Sequence, residues 1–510
     1  SPPPPVNFPP DSPKYEAYPT RFNMTSQPSR RIASLLRPTV WAEFTPMAQR
    51  FQAVNLGQGF PDWKPPPFLT ESAHTALEGP WQVHQYGPSG GWPKLCEGVA
   101  KKYEPILKQA SLDPRENVFV SVGSSQVLFT CFQALCNPGD EVVVFEPFFD
   151  IYLPQAMMSG AVPRYVPMRF RSPSPTEEEE EKEKERKEED PARSGNSSKD
   201  QSRAPQAPLT SSLWKIDMEA LEETLSERTR IVLLNSPNNP TGKVFTHAEL
   251  EELAEVVKRK APRAVVLSDE VYEHMIFPSE TQEGHLISPL PRIANVAGMW
   301  ERSLTISSFG KTFSSTGWKM GFAVGHADLV RLLVHAQQYM PFCVPTILQE
   351  SVASALETAS QPYGGKPTYW EWLEGEYRNK RAHLMETLTH AGFNPIGPEG
   401  SFFILVDLEH THLLKHALPS EPAEPGTVQR PDYEVCRFLT KEVGVCAIPC
   451  SAFYDHDGDS ASSSSLSSSS SLEKGRLKEK EKFIRFAFCK TEAALDEARR
   501  RLYNHFREMS

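Results

Sequence analysis

The chain has 510 residues, and 54 Lys and Arg against 65 Asp and Glu give it a formal net charge of −11. That balance, with no long basic tract, argues against a nucleic-acid partner, and no run approaches the ~20 apolar residues of a membrane span. Hydrophobic residues are only 39% and prolines number 47, yet 28 Phe, 14 Tyr and 9 Trp are too many for a disordered protein. The polarity must therefore sit in local segments of an otherwise ordinary folded body.

The first such segment is the start, residues 1–30, which contains SPPPPVNFPPDSP and reads as extended chain without a core. It lacks the apolar stretch of a secretory signal. Residues 17–42 hold Arg21, Arg30, Arg31 and Arg37 and no acid, a weak transit-like feature. The cytoplasm is the expected compartment, with mitochondria as the alternative. NLGQGF (Asn55–Phe60) is not a dinucleotide fingerprint, because Asp62 takes the third glycine's place. GPSGG (Gly87–Gly91) formally matches a nucleophile elbow around Ser89, but that motif needs a strand before it and a helix after it. The flanking WQVHQY and WPKL supply neither.

From residue 117 onward the pattern changes. NVFVSV (Asn117–Val122), EVVVFE (Glu141–Glu146), RIVLLN (Arg230–Asn235), AVVLSD (Ala264–Asp269) and SLTISS (Ser303–Ser308) read as strands. The last four carry apolar residues in succession, as strands covered on both faces do. Helical stretches lie between them, at Ser125–Cys136 and at Thr246–Lys260, where Thr246 and Glu249 make a capping-box pattern. Strand–helix alternation predicts an α/β fold, a mostly parallel central sheet flanked by helices. Such a sheet binds its ligand beyond the carboxyl ends of its strands. Two more polar segments interrupt the pattern: a Glu/Lys-rich stretch over residues 172–212, expected to be a disordered acidic insertion, and a Ser-rich stretch over 456–481, expected to be flexible. Setting these aside leaves a body of two-domain length.

Chemistry is therefore sought at the strand ends. RIVLLN is followed by SPNNPTGKVF (Ser236–Phe245). A plain turn explains its Pro, Asn and Gly, but not why two amides, Asn238 and Asn239, stand together at the ligand edge. AVVLS leads into DEVY (Asp269–Tyr272), where Asp269 is either a helix N-cap or a desolvated acid in need of a partner. SLTIS leads into SSFGKTFSSTGWKMG (Ser307–Gly321), with Lys311 among small residues and Lys319 eight positions on. GKT here is not a phosphate-binding P-loop, since Thr305 occupies its first glycine position. In FIRFAF (Phe483–Phe488), Arg485 is the lone charge of a strand, either a fork for a ligand carboxylate or the partner of a structural acid. Cys446 and Cys450, in VGVCAIPC, read as buried thiols, and no metal site is expected.

In this order the motifs resemble those of the fold-type I aminotransferases that use pyridoxal 5′-phosphate. NLGQGFPD, EPFFDIY, NSPNNPTGKVF, SDEVYEHMIF, GMWERSLTISSFGKTFSSTGWKMG and AIPCSAFY with FIRFAFCK are similar to the kynurenine aminotransferase/cysteine-S-conjugate β-lyase family, from about Arg31 onward except in the two insertions. The resemblance implies a homodimer whose active sites are completed by the partner subunit. It implies a large cofactor-binding domain over 68–345 and a small domain built from 31–67 and 346–510. It assigns Lys311 to the Schiff base with the cofactor, Asp269 to the pyridine nitrogen, and Tyr272 and Asn239 to the phenolic oxygen. Phe149 would stack on the ring. Ser124, Ser125, Ser308 and Lys319 would hold the phosphate, with Tyr86 reaching it from the partner subunit. Arg485 would clamp the substrate carboxylate, with Trp41, Gly59, Asn239 and Phe342 nearby. The implied reaction is transamination of L-kynurenine and related aromatic or bulky amino acids with 2-oxoglutarate or a similar 2-oxo acid, with β-lyase activity as a possible accompaniment. Glutamine, methionine or general aromatic donors are the alternatives, and a cofactor-binding regulator or scaffold is the non-enzymatic one. Retention of Lys311, Asp269, Asn239 and Arg485 together argues against a scaffold. Two positions depart from the family pattern: GSSQ replaces a GGYG-type turn, putting Ser125 where an aromatic often stands, and PFCVPT puts Cys343 where His is usual.

Overall fold

The computed structural model describes residues 27–33, 35–36, 39–109, 111–171, 209–277, 290–409, 411–417, 430–454 and 478–506. The Pro-rich start as far as residue 26, the acidic insertion over 172–208 and the Ser-rich insertion over 456–477 lie outside the described residues. Two expected boundaries are corrected. Thr210 already bridges Gly397, and the fully buried Ser211 donates from Oγ to the Gly242 carbonyl at 2.9 Å, so the fold resumes before residue 212. Glu479–Glu481 likewise forms a 3-10 turn with Glu481 buried.

In chain order the strands are β1 (Val54–Asn55), β2 (Val118–Val122), β3 (Glu141–Glu146), β4 (Val162–Phe170), β5 (Trp214–Ile216), β6 (Thr229–Asn235) and β7 (Val265–Asp269). They continue as β8 (Ser303–Ser308), β9 (Met320–Gly325), β10 (Pro395–Ile396), β11 (Phe403–Asp407), β12 (Val445–Cys446), β13 (Ile448–Pro449) and β14 (Phe483–Ala487). Eight of them form one sheet in the order β2-β9-β8-β7-β6-β3-β4-β5. The run β8-β7-β6-β3-β4 is parallel, while β9 lies antiparallel between β2 and β8. The inner strands β7 and β8 are buried at every residue, because helices cover both faces and each large aliphatic side chain withdrawn from water contributes ~1.5–3 kcal/mol.

Five strands and both helices expected from the sequence are present, with ends shifted by a residue or two. The helix after β2 starts at Gly123, and His247–Lys260 carries the full Thr246–Glu249 capping box. Three strands of the large sheet, β4, β5 and β9, were not anticipated. β9 contains Gly321 and Gly325, which weaken a strand pattern. Gly321 is required there, since a Cβ would lie 2.3 Å from the Ser124 amide nitrogen. β4 carries Pro163 and Pro167 and is exposed or half-buried over its first four residues, so its apolar signal is diluted.

A second sheet, β10-β11-β14-β13, is antiparallel throughout. β1 pairs in parallel with β12, Val54 opposite Val445, and the Ala487 amide of β14 donates to the Leu56 carbonyl at 2.6 Å. This stitching brings Gly57 against Arg485 of β14 and Gly59 against Phe403 of β11, and fixes one wall of the site.

Candidate active site

β2, β3, β6, β7 and β8 point the same way, so their carboxyl ends open on one edge, and antiparallel β9 starts there. A cavity of about 560 Å³ lies at that edge. Twelve of the fourteen residues expected at the site line it, and Tyr86 and Phe342 do not.

At one end is an anion cradle. The 13-residue helix Gly123–Leu135 presents its first-turn amides at Ser124 and Ser125, whose N–H groups have no partner within the helix. Lys319 sits in the left-handed region at φ 53°, and a Cβ on Gly123 would come within 3.2 Å of its Nζ, so that ammonium rests over the helix start. Ser308, at the end of β8, lines the same end. Two amides, hydroxyls and an ammonium form a donor set for a phosphate.

The middle of the cavity holds the reactive pair. Lys311 follows β8 and donates from Nζ to the Gly59 carbonyl at 2.9 Å. Burial pulls its ammonium down to about 8, so a usable fraction is neutral amine near physiological pH. A Cβ on Gly59 would strike the Phe403 ring at 2.6 Å, which explains glycine at that position. Asp269 ends β7 and is 4% exposed. Burial pushes its carboxyl up to about 6, opposed first by the Tyr152 hydroxyl, which donates to Oδ2 at 2.6 Å. The N-cap alternative fails because β7 is followed by a turn and not by a helix. Tyr272 is buried beside Phe402 and Phe403, with its phenol pushed well above its usual range by burial.

The far wall grips anions differently. Arg485 in β14 is 1% exposed and donates from Nη1 to Asn239 Oδ1 at 2.7 Å and from Nη2 to the Gly57 carbonyl at 2.8 Å. Its Nε has no partner among the described residues. The guanidinium lies 4.0 Å from the Phe403 ring centroid, 4.6 Å from Phe453 and 5.5 Å from Trp41. The structural-acid alternative is therefore not what is found: both partners are neutral oxygens, and the charge faces the cavity. Asn239 is itself held by its amide, which donates to Asn235 Oδ1 at 2.7 Å.

Three lining residues were not singled out from the sequence. Tyr152 and Asp150 lie within EPFFDIY, where an aromatic reads as core and an acid as turn; Trp41 Nε1 donates to Asp150 Oδ2 at 2.7 Å. Asn235 ends β6 and donates from Nδ2 to the Asp269 carbonyl at 2.9 Å. The expected placement of Phe342 against substrate is corrected for its own chain. It is 50% exposed, has φ 68°, and packs edge-on against Tyr86 at 5.3 Å on the outer surface. Ser89 lies outside the cavity, after the 3-10 turn Trp81–His84 and with no strand before it, so no nucleophile elbow forms. All eight cysteines are free thiols, and among the described residues no cluster suits a metal and no helix is long and apolar enough to cross a membrane.

A phosphate cradle, a depressed lysine amine, a carboxylate awaiting a cation and an arginine above them fit pyridoxal 5′-phosphate with an amino-acid carboxylate beside it. On this mixed sheet they define a fold-type I, pyridoxal-phosphate-dependent enzyme. Residues 52–173 and 204–502 match the family Aminotransferase class I and II, and the chain belongs to that family. The chain is 37% identical to the kynurenine–oxoglutarate transaminase of Dictyostelium discoideum, over 93% of this chain and 95% of that one. It is 35% identical to the kynurenine–oxoglutarate transaminase 1 of Homo sapiens, over 89% and 93%. A Saccharomyces cerevisiae protein solved as a candidate kynurenine aminotransferase superposes with a TM-score of 0.75 at 30% identity, covering 93% of this chain and 98% of that chain.

Proposed function

We propose that this transaminase takes L-kynurenine and related aromatic or bulky amino acids as donors and 2-oxoglutarate or a similar 2-oxo acid as acceptor. The observation that carries this reading is Arg485, buried in an aromatic wall of Trp41, Phe403 and Phe453 and hydrogen-bonded, among the described residues, to neutral oxygens only. One fork for the α-carboxylate, set among rings, suits an apolar or aromatic side chain. The names of the similar transaminases point to the same donor.

Pyridoxal 5′-phosphate, when bound, supplies an electron sink for the bond broken at the substrate Cα. The chain's own residues do the rest. Ser124, Ser125, Ser308 and Lys319 would hold the phosphate, and Phe149 would stack on the ring. Asp269 would pair with the ring nitrogen as a carboxylate. Tyr272 and Asn239 would hydrogen-bond the phenolic oxygen. Lys311 would hold the cofactor, and its neutral amine, once displaced by substrate, would take the proton from the substrate Cα and deliver it to the cofactor carbon on the other side of the nitrogen. Arg485 fixes the carboxylate, and the aromatic walls exclude water.

We further infer a homodimer. Tyr86 is 84% exposed and Phe342 50%, an aromatic pair that a second copy would cover and carry into its own cavity. A sedimentation run showing only monomer would remove that part of the reading. Substrate is tested by a donor screen on the full chain with pyridoxal phosphate added. Kynurenine is expected to show a higher kcat/KM than glutamine, methionine or phenylalanine, and Arg485→Ala to raise KM for every donor by at least about tenfold. Kynurenine ranking last would sink the proposed donor while leaving the transaminase class intact.

A further inference from the structure

Tyr152 opens the helix Tyr152–Met158 and is 1% exposed, yet it lines the cavity and has no task in the chemistry above. Its hydroxyl donates to Asp269 Oδ2 at 2.6 Å. Its ring meets that of Phe149 edge-on, with centroids 5.8 Å apart and planes at 87°. The other Asp269 oxygen accepts only a long bond, 3.4 Å, from the Val271 amide. One side chain thus braces both groups that would grip the cofactor ring, the acid at its nitrogen and the aromatic over its face. The helix is fastened in turn, since Gln155 Nε2 donates to the Ser125 carbonyl at 2.9 Å and ties Tyr152 to the anion cradle.

We propose that Tyr152 is a positioning residue for the cofactor, its hydroxyl holding the Asp269 carboxylate against the ring nitrogen and its ring setting the plane of Phe149. The inference rests on the pyridoxal-phosphate reading of the cavity. The physical argument begins with Asp269, a buried acid that meets only neutral hydrogen-bond donors among the described residues, so burial favours its neutral form. A hydroxyl donor stabilises the ionised form, because a hydrogen bond to a charged acceptor is stronger than one to a neutral acceptor. Of the influences that oppose burial at Asp269, the Tyr152 bond is the largest, ahead of the Val271 amide and the charge of Lys311. Tyr272 and Asp150, the other acids beside Tyr152, add to burial and to Asp269 in pushing its phenol well above its usual range, so the hydroxyl stays protonated and able to donate. Taking the hydroxyl away raises the pKa of Asp269 in the folded protein, and the carboxylate is then lost at a higher pH as the solution is acidified. The ring contact with Phe149 does not depend on the hydroxyl, so the two roles separate by substitution.

The test uses the full-length apoprotein and pyridoxine 5′-phosphate, which has the ring and phosphate of the cofactor but cannot condense with Lys311. Its affinity is measured by fluorescence quenching from roughly pH 5 to pH 8, the range in which a perturbed carboxyl titrates. For Tyr152→Phe, the acid edge of binding is expected to move up by about one pH unit, with affinity above that edge within about threefold of wild type. Tyr152→Leu also removes the ring and is expected to weaken binding at every pH. An acid edge that stays in place in Tyr152→Phe overturns the proposal. So does an equal loss at all pH values in both variants, which would make Tyr152 a packing residue only. Failure of the wild-type chain to bind the probe at any pH overturns the cofactor reading itself. Since Tyr152→Phe removes a single oxygen from a buried ring, its thermal melt serves as the folding control.

Discussion

Asp269 and Glu270 are neighbours in sequence and almost equally buried, at 4% and 1% exposure, yet the protein treats them in opposite ways. Strand alternation sends them to opposite faces of the sheet. Glu270 shares its face with Ser268, whose Oγ donates to it at 2.7 Å, and it is ion-paired with the buried Arg292. Arg292 also pairs with Glu273 at 2.7 Å, and Glu273 accepts from Ser307 Oγ at 2.7 Å and from the Tyr103 hydroxyl. Asp269, on the cavity side, receives a hydroxyl and an amide but, among the described residues, no ion-paired cation. A buried charge without a counter-ion is costly, and its place at a strand end agrees with the proposed position of the ring nitrogen. Arg485 is the mirror case, a buried cation whose hydrogen-bond partners are neutral oxygens.

Two substitutions sharpen that contrast, and a pair of deletions follows, the largest effect first. Arg292→Met keeps the bulk and strands two buried acids, so it is expected to lower stability by about 3–5 kcal/mol in denaturant unfolding. A loss below about 1 kcal/mol would mean that the guanidinium is not what holds the two acids in the fold. Asp269→Asn should do the reverse. It is expected to leave the apoprotein at least as stable as wild type while lowering kcat by about 10²–10³-fold, the scale of removing one preorganised electrostatic contact. The third test concerns chain outside the sheet. Deleting 172–208 is expected to leave kcat/KM and the melting temperature unchanged. Extending the deletion through 212 should cost about 1–3 kcal/mol, because it removes the Ser211 hydroxyl that serves Gly242 and the Glu399 amide. Equal behaviour of the two deletions would place the fold's true boundary back at residue 212.

The parts of this molecule that could be read from sequence are those whose signal is local. Continuous apolar runs announce β3, β6, β7 and β8, and Thr246 with Glu249 announces a helix start, because burial on both faces and capping each leave a mark within a few residues. Lys311, Asp269 and Arg485 stand out as charges inside or at the end of apolar strands. Phe342 does not line its own chain's cavity, and a place in a motif could not show that it packs instead against Tyr86 on the surface. Tyr152 gave no signal at all: its partner Asp269 is 117 positions away, and a tyrosine after two phenylalanines looks like ordinary core. β9 was hidden by its glycines, Gly321 lying beside the Ser124 amide and Gly325 against Leu304. Sequence distance and close backbone approach are the two things that patterning does not record.

The parallel pair β1–β12 has a consequence for how the site is assembled. The phosphate cradle, Lys311 and Asp269 all come from one continuous stretch of chain between Ser124 and Lys319, whereas the carboxylate grip exists only where Gly57, carried by β1, meets Arg485 on β14. The two halves of the cavity are therefore completed by chain made at different times. Every residue proposed for the cofactor lies on chain made before β9 ends, and Arg485 joins them only when β14 is made and meets the segment carried by β1.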